Sequence, residues 1–133
     1  MTAKGTFDTA DWNALPPFDD RDGVSLGQVT LRKTFHGDLT ATSVVTMLVA
    51  TTEVADSRSY VALERVDGTL DGRSGGFVVQ HNAVSDRGAQ GLRVTVVPDS
   101  GTGELRGLRG EMDILIAPDG SHSYTFDYDL LSP

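Results

Sequence analysis

Apolar and polar residues alternate with a period of two along most of this chain. No stretch sustains the i, i+3, i+4, i+7 spacing of an amphipathic helix. Since successive side chains of a strand point to opposite faces, the pattern predicts an all-β chain. The runs are Lys4–Asn13, Ser25–Phe35, Leu39–Thr52, Ser57–Val66, Thr69–Ala83, Gln90–Pro98, Glu104–Ala117 and His122–Leu131. Ala14–Gly23, with Pro16-Pro17 and Asp19-Asp20-Arg21-Asp22, reads as the one clear loop, while Pro98–Gly103 and Ala117–Gly120 read as tight reversals. Short links make neighbours in sequence antiparallel neighbours in space, which gives a meander. Eight such strands can close into an antiparallel barrel and so remove the exposed edges.

Composition agrees with this reading. Asp outnumbers Glu fifteen to four, and Thr and Val supply fourteen residues each, so turn formers and strand formers dominate. Four Asp-Gly pairs, at Asp22, Asp67, Asp71 and Asp119, are hairpin signals. Gly37-Asp38-Leu39, Gly68-Thr69-Leu70 and Gly103-Glu104-Leu105 form a weak repeat, 31 and 35 residues apart, expected to open a long strand each time. With 133 residues, the chain is expected to form one domain.

A net charge of −8 repels phosphate backbones and anionic headgroups, so neither nucleic acid nor a membrane surface is an expected partner. Without cysteine there is no disulfide framework and no thiolate nucleophile. The polar start from Met1 to Asp11 lacks an apolar signal region, which makes the cytoplasm the expected location. Gly101-Thr102-Gly103-Glu104-Leu105-Arg106-Gly107 mimics a dinucleotide fingerprint, but its third glycine comes one place late and no helix follows. His36, His81 and His122 lie far apart with no second ligand at metal spacing. Neither metal nor cofactor is expected.

Four groups of side chains are candidates for chemistry. His81 shares a face with Phe77 and Val79, as a packed histidine with a satisfied hydrogen bond or as a general acid or base facing a cavity. Glu64 shares a face with Tyr60. If Asp67-Gly68 closes the hairpin, Glu64 reaches Arg73 as a cross-strand ion pair, on the surface or buried. Tyr124 and Tyr128 flank Phe126 on one face of the last strand, as core filling or as a ligand-lining wall. Trp12 ends the first strand and would neighbour the last in a closed barrel. In Leu39–Thr52, both Ala41/Ser43/Val45/Met47/Val49 and Thr42/Val44/Thr46/Leu48/Ala50 read as core faces. Burial of both would place the outside of that strand against a second copy, so a homodimer is expected.

Phe35-His36-Gly37-Asp38-Leu39, the run Gly68–His81 with its Gly-Arg-Ser-Gly-x-Phe segment, and Pro98-Asp99-Ser100-Gly101-Thr102-Gly103-Glu104-Leu105 together resemble the bacterial domain of unknown function 3224 family. The resemblance runs from Gly5 to Leu130 and includes Tyr124 and Tyr128. It implies an eight-stranded barrel similar to allene oxide cyclases, often oligomeric, and brings no established catalytic residues. Related barrels bind apolar, cyclisable molecules and steer ring closure by shape. The reading that follows is a barrel binding an apolar small molecule, as a cofactor-independent isomerase or cyclase. His81 and Glu64 would act on it, and Tyr60, Phe77, Trp12, Tyr124 and Tyr128 would line its site. The rivals are a carrier using the same cavity and a structural oligomer with a filled barrel. Everything turns on whether the lumen is full or open.

Overall fold

Alternating Val/Thr-rich segments can bury one face by curling the sheet round on itself, and here the sheet closes completely. The computed structural model describes residues 1–132. Its strands are β1 (Thr2–Ala14), β2 (Asp19–Arg21), β3 (Val24–Gly37), β4 (Leu39–Thr51), β5 (Arg58–Leu70), β6 (Arg73–Asp86), β7 (Ala89–Val96), β8 (Leu108–Ile116) and β9 (His122–Leu130). Antiparallel pairing runs β1-β9-β8-β7-β6-β5-β4-β3, and β1 also pairs with β3. The result is an eight-stranded barrel, with β2 a short addition to β3. No helix among the described residues is long and apolar enough to cross a membrane.

Three expectations need correction. The segment Ala14–Gly23 is not all loop, because Asp19–Arg21 folds back on Val24–Leu26 through Asp22-Gly23, both at positive φ. The β5–β6 hairpin turns at Asp71-Gly72, with φ of 47° and 83°, rather than at Asp67-Gly68. Gly68 instead lies inside the ladder opposite Ala41 and Gly75, where an added Cβ would overlap the Thr40 carbonyl and Ala41. β5 therefore runs on to Leu70 and β6 is shifted to Arg73–Asp86; Glu64 sits opposite Val79, and no Glu64–Arg73 pair forms. Finally, Glu104 does not start a strand. Gly103–Leu105 is a single 3-10 turn that sinks Leu105 into the core. The repeat thus supplies buried leucines, Leu39, Leu70 and Leu105, and not three hairpins.

Register resolves the ambiguity in β4. Ala41, Ser43, Val45 and Met47 face the lumen, while Thr42, Val44, Thr46 and Leu48 face outward and are exposed. Val61 and Leu63 of β5, paired with Leu48 and Thr46, continue an exposed apolar strip on the outer wall.

The lumen is full at one end. Phe35, Leu39, Leu70, Phe77, Leu105, Leu108, Tyr124, Phe126 and Tyr128 interdigitate there, with Phe77 and Phe126 stacked at 5.9 Å. The Tyr124 hydroxyl ties β9 to the β3–β4 corner. Its oxygen accepts from the Leu39 amide at 2.9 Å and lies 3.0 and 3.1 Å from the His36 and Leu39 carbonyl oxygens, to which it can donate. Loop residues 99–105 close the same end by pairing with β6: Thr102 N donates to Gly76 O, and the Ser100 hydroxyl accepts from Val78 N.

Candidate functional site

Large aromatic side chains fill one half of the barrel, whereas the other half is lined by Thr9, Ser59, Ala83, Ser85 and Gly91 among its inward and rim positions. The smaller residues leave an open cavity of about 530 Å³. Its walls are mainly apolar, with Leu31, Val45, Met47, Val49, Ile114 and Leu92 prominent. Trp12 stands at its mouth, 66% exposed.

A buried polar cluster forms where the open half meets the packed half. Four adjacent strands each contribute one lumen-facing residue: Lys33 from β3, Ser43 from β4, Glu64 from β5 and His81 from β6. All four are buried, although Lys33 and His81 still touch the cavity. Glu64 Oε1 receives Lys33 Nζ at 3.2 Å and His81 Nε2 at 2.7 Å, and Oε2 accepts from the Ser43 hydroxyl at 2.5 Å. The Lys33 ammonium also lies over the Phe7 ring, 4.7 Å from its centroid. Nδ1 of His81 is buried and has no hydrogen-bond partner among the described residues.

Burial alone pushes the Glu64 carboxyl up. The hydrogen bond from His81, the Lys33 ammonium, the charge His81 can carry and the Ser43 hydroxyl outweigh it, holding the group down to about 2 from 4.5. Glu64 is therefore a carboxylate at neutral pH, and a neutral His81 places its proton on Nε2, leaving a lone pair on Nδ1. A depressed carboxyl stabilises the fold above its unfolded pKa, and that contribution is lost as the pH falls towards the folded value. Stability is expected to fall between about pH 4.5 and 2, with Glu64 contributing on the order of 3 kcal/mol to the loss. Urea titrations across that range, compared with Glu64→Gln, check this; equal slopes in the two proteins would show that Glu64 is not responsible.

The expected site residues separate into two groups. His81, Glu64, Tyr60 and Trp12 belong to the open half. The Tyr60 ring centroid lies 6.2 Å from that of His81. Its phenol is pushed up by burial and by the Glu64 charge, so it stays protonated. Trp12 does not neighbour the last strand as expected: β1 pairs with β9 only as far as Phe7, and a bulge with Asp11 at positive φ turns Trp12 to the rim.

Phe77, Tyr124 and Tyr128 do not line the cavity, because their stretch of the lumen is the packed end. Tyr124 serves the seam described above. Tyr128 donates to Asp71 at the β5–β6 tip, and burial together with Asp71 pushes its hydroxyl up to about 12. Both tyrosines are latches. Lys33 escaped the sequence reading and Ser43 entered it only as part of a candidate core face, although one signal was present: Lys33 alternates with Leu31 and Phe35 on an otherwise apolar face.

The family model described as "Protein of unknown function (DUF3224)" matches residues 3–128. A crystal structure of a protein with unknown function from the DUF3224 family of Shewanella oneidensis MR-1 is similar throughout. Its TM-score is 0.93 and its identity 41%, covering 100% of this chain and 98% of that one. No curated protein matches.

Proposed function

This chain belongs to the DUF3224 family, and on that premise we propose that it binds an apolar or amphipathic small molecule in its open half and acts on it as a cofactor-independent isomerase or cyclase. One observation carries the reading: a charged cluster is buried at the floor of a mainly apolar cavity. Packing alone does not call for it, since a buried ion pair is often no more stabilising than apolar residues of the same volume. A volume of about 530 Å³ is that of small-molecule sites, which combine apolar walls with a few convergent polar groups. Apolar walls supply affinity and confine the ligand's conformers. Lys33 and His81 bring the charged cluster to the cavity surface, and Glu64 lies behind them as their common acceptor.

Trp12, the only tryptophan, reports on the mouth of this cavity. Titration with naphthalene is expected to change its fluorescence saturably. Ala83→Phe, which places a ring in the cavity, should weaken binding at least about tenfold. Equal affinity for the variant would put the ligand elsewhere and defeat the proposal. Binding of substrate candidates without any new product would leave a carrier and remove the catalytic half.

A further inference from the structure

We infer that the ligand of the open half carries a single anionic head group, held at the cavity mouth by the Arg58 guanidinium, with its apolar body in the lumen below. This rests on the ligand-binding reading above and names its substrate class. Register sorts the inner wall into layers. Strands β4 to β7 pair so that Met47, Ala62, His81 and Val94 form one lumen-facing row. Val49, Tyr60, Ala83 and Leu92 form the next. One step further out, the same pairing aligns Thr51, Arg58, Ser85 and Gln90. Because side chains alternate along a strand, this outermost row falls on the inward face of the two beneath it. Arg58, Ser85 and Gln90 line the cavity. The wall therefore passes from a charged floor through a mainly apolar belt to a polar collar.

Charge along this wall has one sign. The chain holds 19 acidic residues, yet among the described residues no Asp or Glu lines the cavity. Two cationic side chains do, Lys33 at the floor and Arg58 at the mouth. Glu64 neutralises Lys33 from behind at 3.2 Å. Arg58 has no such counter-charge. Arg21, Arg32, Arg93 and Arg109 each meet a carboxylate. Arg58 makes neither an ion pair nor a side-chain hydrogen bond to the described residues. Beside it, the Ser85 hydroxyl is taken up by the Asp56 carbonyl oxygen, so the guanidinium is the free donor of the collar.

The two layers select complementary parts of one molecule. A guanidinium presents a planar fork of donors that matches a carboxylate or sulfonate. An anion at the floor would have to leave water altogether, which is costly. At the collar it stays hydrated on one side, because Arg58 is exposed, while the apolar body below it leaves water. A cationic head would meet Arg58 and find no cavity-lining carboxylate to offset it. The net charge of −8 repels anions at long range, but salt at 0.1 M screens that beyond about 10 Å, so the nearest charge decides.

The test compares 8-anilinonaphthalene-1-sulfonate with N-phenyl-1-naphthylamine, two dyes that share one apolar body and differ by the sulfonate. Both brighten in an apolar site, so each is titrated by its own fluorescence. Arg58→Gln, at an exposed strand end, is expected to raise the Kd of the sulfonate about five- to tenfold and that of the neutral dye less than about twofold. In the unaltered protein, raising salt from about 0.05 to 0.5 M should weaken the sulfonate severalfold and not weaken the neutral dye. Ala83→Phe, which fills the belt, should weaken both at least about tenfold. An unchanged sulfonate Kd in Arg58→Gln, or an equal loss for the two dyes, overturns the anionic class and leaves the pocket standing. So does sulfonate binding that ignores salt or survives Ala83→Phe while the neutral dye is lost. Binding of the neutral dye alone has the same consequence. Binding of neither dye, or of both regardless of Ala83→Phe, overturns the pocket as well.

Discussion

Glu64→Ala is expected to lose about 3–5 kcal/mol of folding stability, measured by urea denaturation at pH 7. The carboxylate is the common acceptor for Lys33, Ser43 and His81, so its removal strands a buried ammonium and leaves two further groups without partners. Breaking one side of a buried pair costs far more than the pair contributes against apolar replacements. Lys33→Met combined with Glu64→Gln is therefore expected to recover at least half of the loss. Glutamine keeps a carbonyl acceptor for His81, and methionine needs none. A cost below about 1 kcal/mol for Glu64→Ala would mean that water reaches the cluster and that its charges are not held as the distances indicate.

Gly5→Ala should cost more than about 3 kcal/mol, above the usual 1–3 kcal/mol of overpacking. Gly5 lies where the barrel closes, paired with Gly37 on β3 and with Tyr124 on β9. A methyl group there would overlap the His36 carbonyl and the Tyr124 hydroxyl, which is bonded to that same carbonyl and to Leu39. Backbone must move to relieve it, and the seam between the first and last strands opens. Gly91→Ala is the control, since nothing lies within 4 Å of its added Cβ. It should change stability by no more than about 0.5 kcal/mol in the same thermal melts. Equal effects at the two positions would show that the seam tolerates a shift the static geometry forbids.

Much of the barrel was legible because its signals are local. Alternation locates strands, and Asp-Gly pairs and prolines locate turns, so all eight barrel strands were anticipated within a few residues, apart from the late start of β8, the extension of β5 and the shift of β6. The choice between Asp67-Gly68 and Asp71-Gly72 was not local. Both dipeptides can turn, but only the second leaves Gly68 in the ladder, where Ala41 of β4 needs a neighbour without a side chain. That preference is set by a strand almost thirty residues away. The same displacement by four residues removed the Glu64–Arg73 pair and gave Glu64 to Lys33 and His81.

Sequence alone determined that this protein is an acidic, cysteine-free, all-β chain with alternating strands, and that His81 shares an apolar face with Phe77 and Val79, while it left the Glu64 face open. It could not say whether the lumen was full or open, since both halves are built from the same alternating pattern. Tertiary structure decided that it is both: packed where Phe35, Phe77, Phe126 and the two tyrosines meet, open where small side chains meet instead. Side-chain volume on a barrel's inner face adds up across strands distant in sequence. Only closure of the sheet brings those volumes to one level, and with them Lys33, Ser43, Glu64 and His81 to one floor.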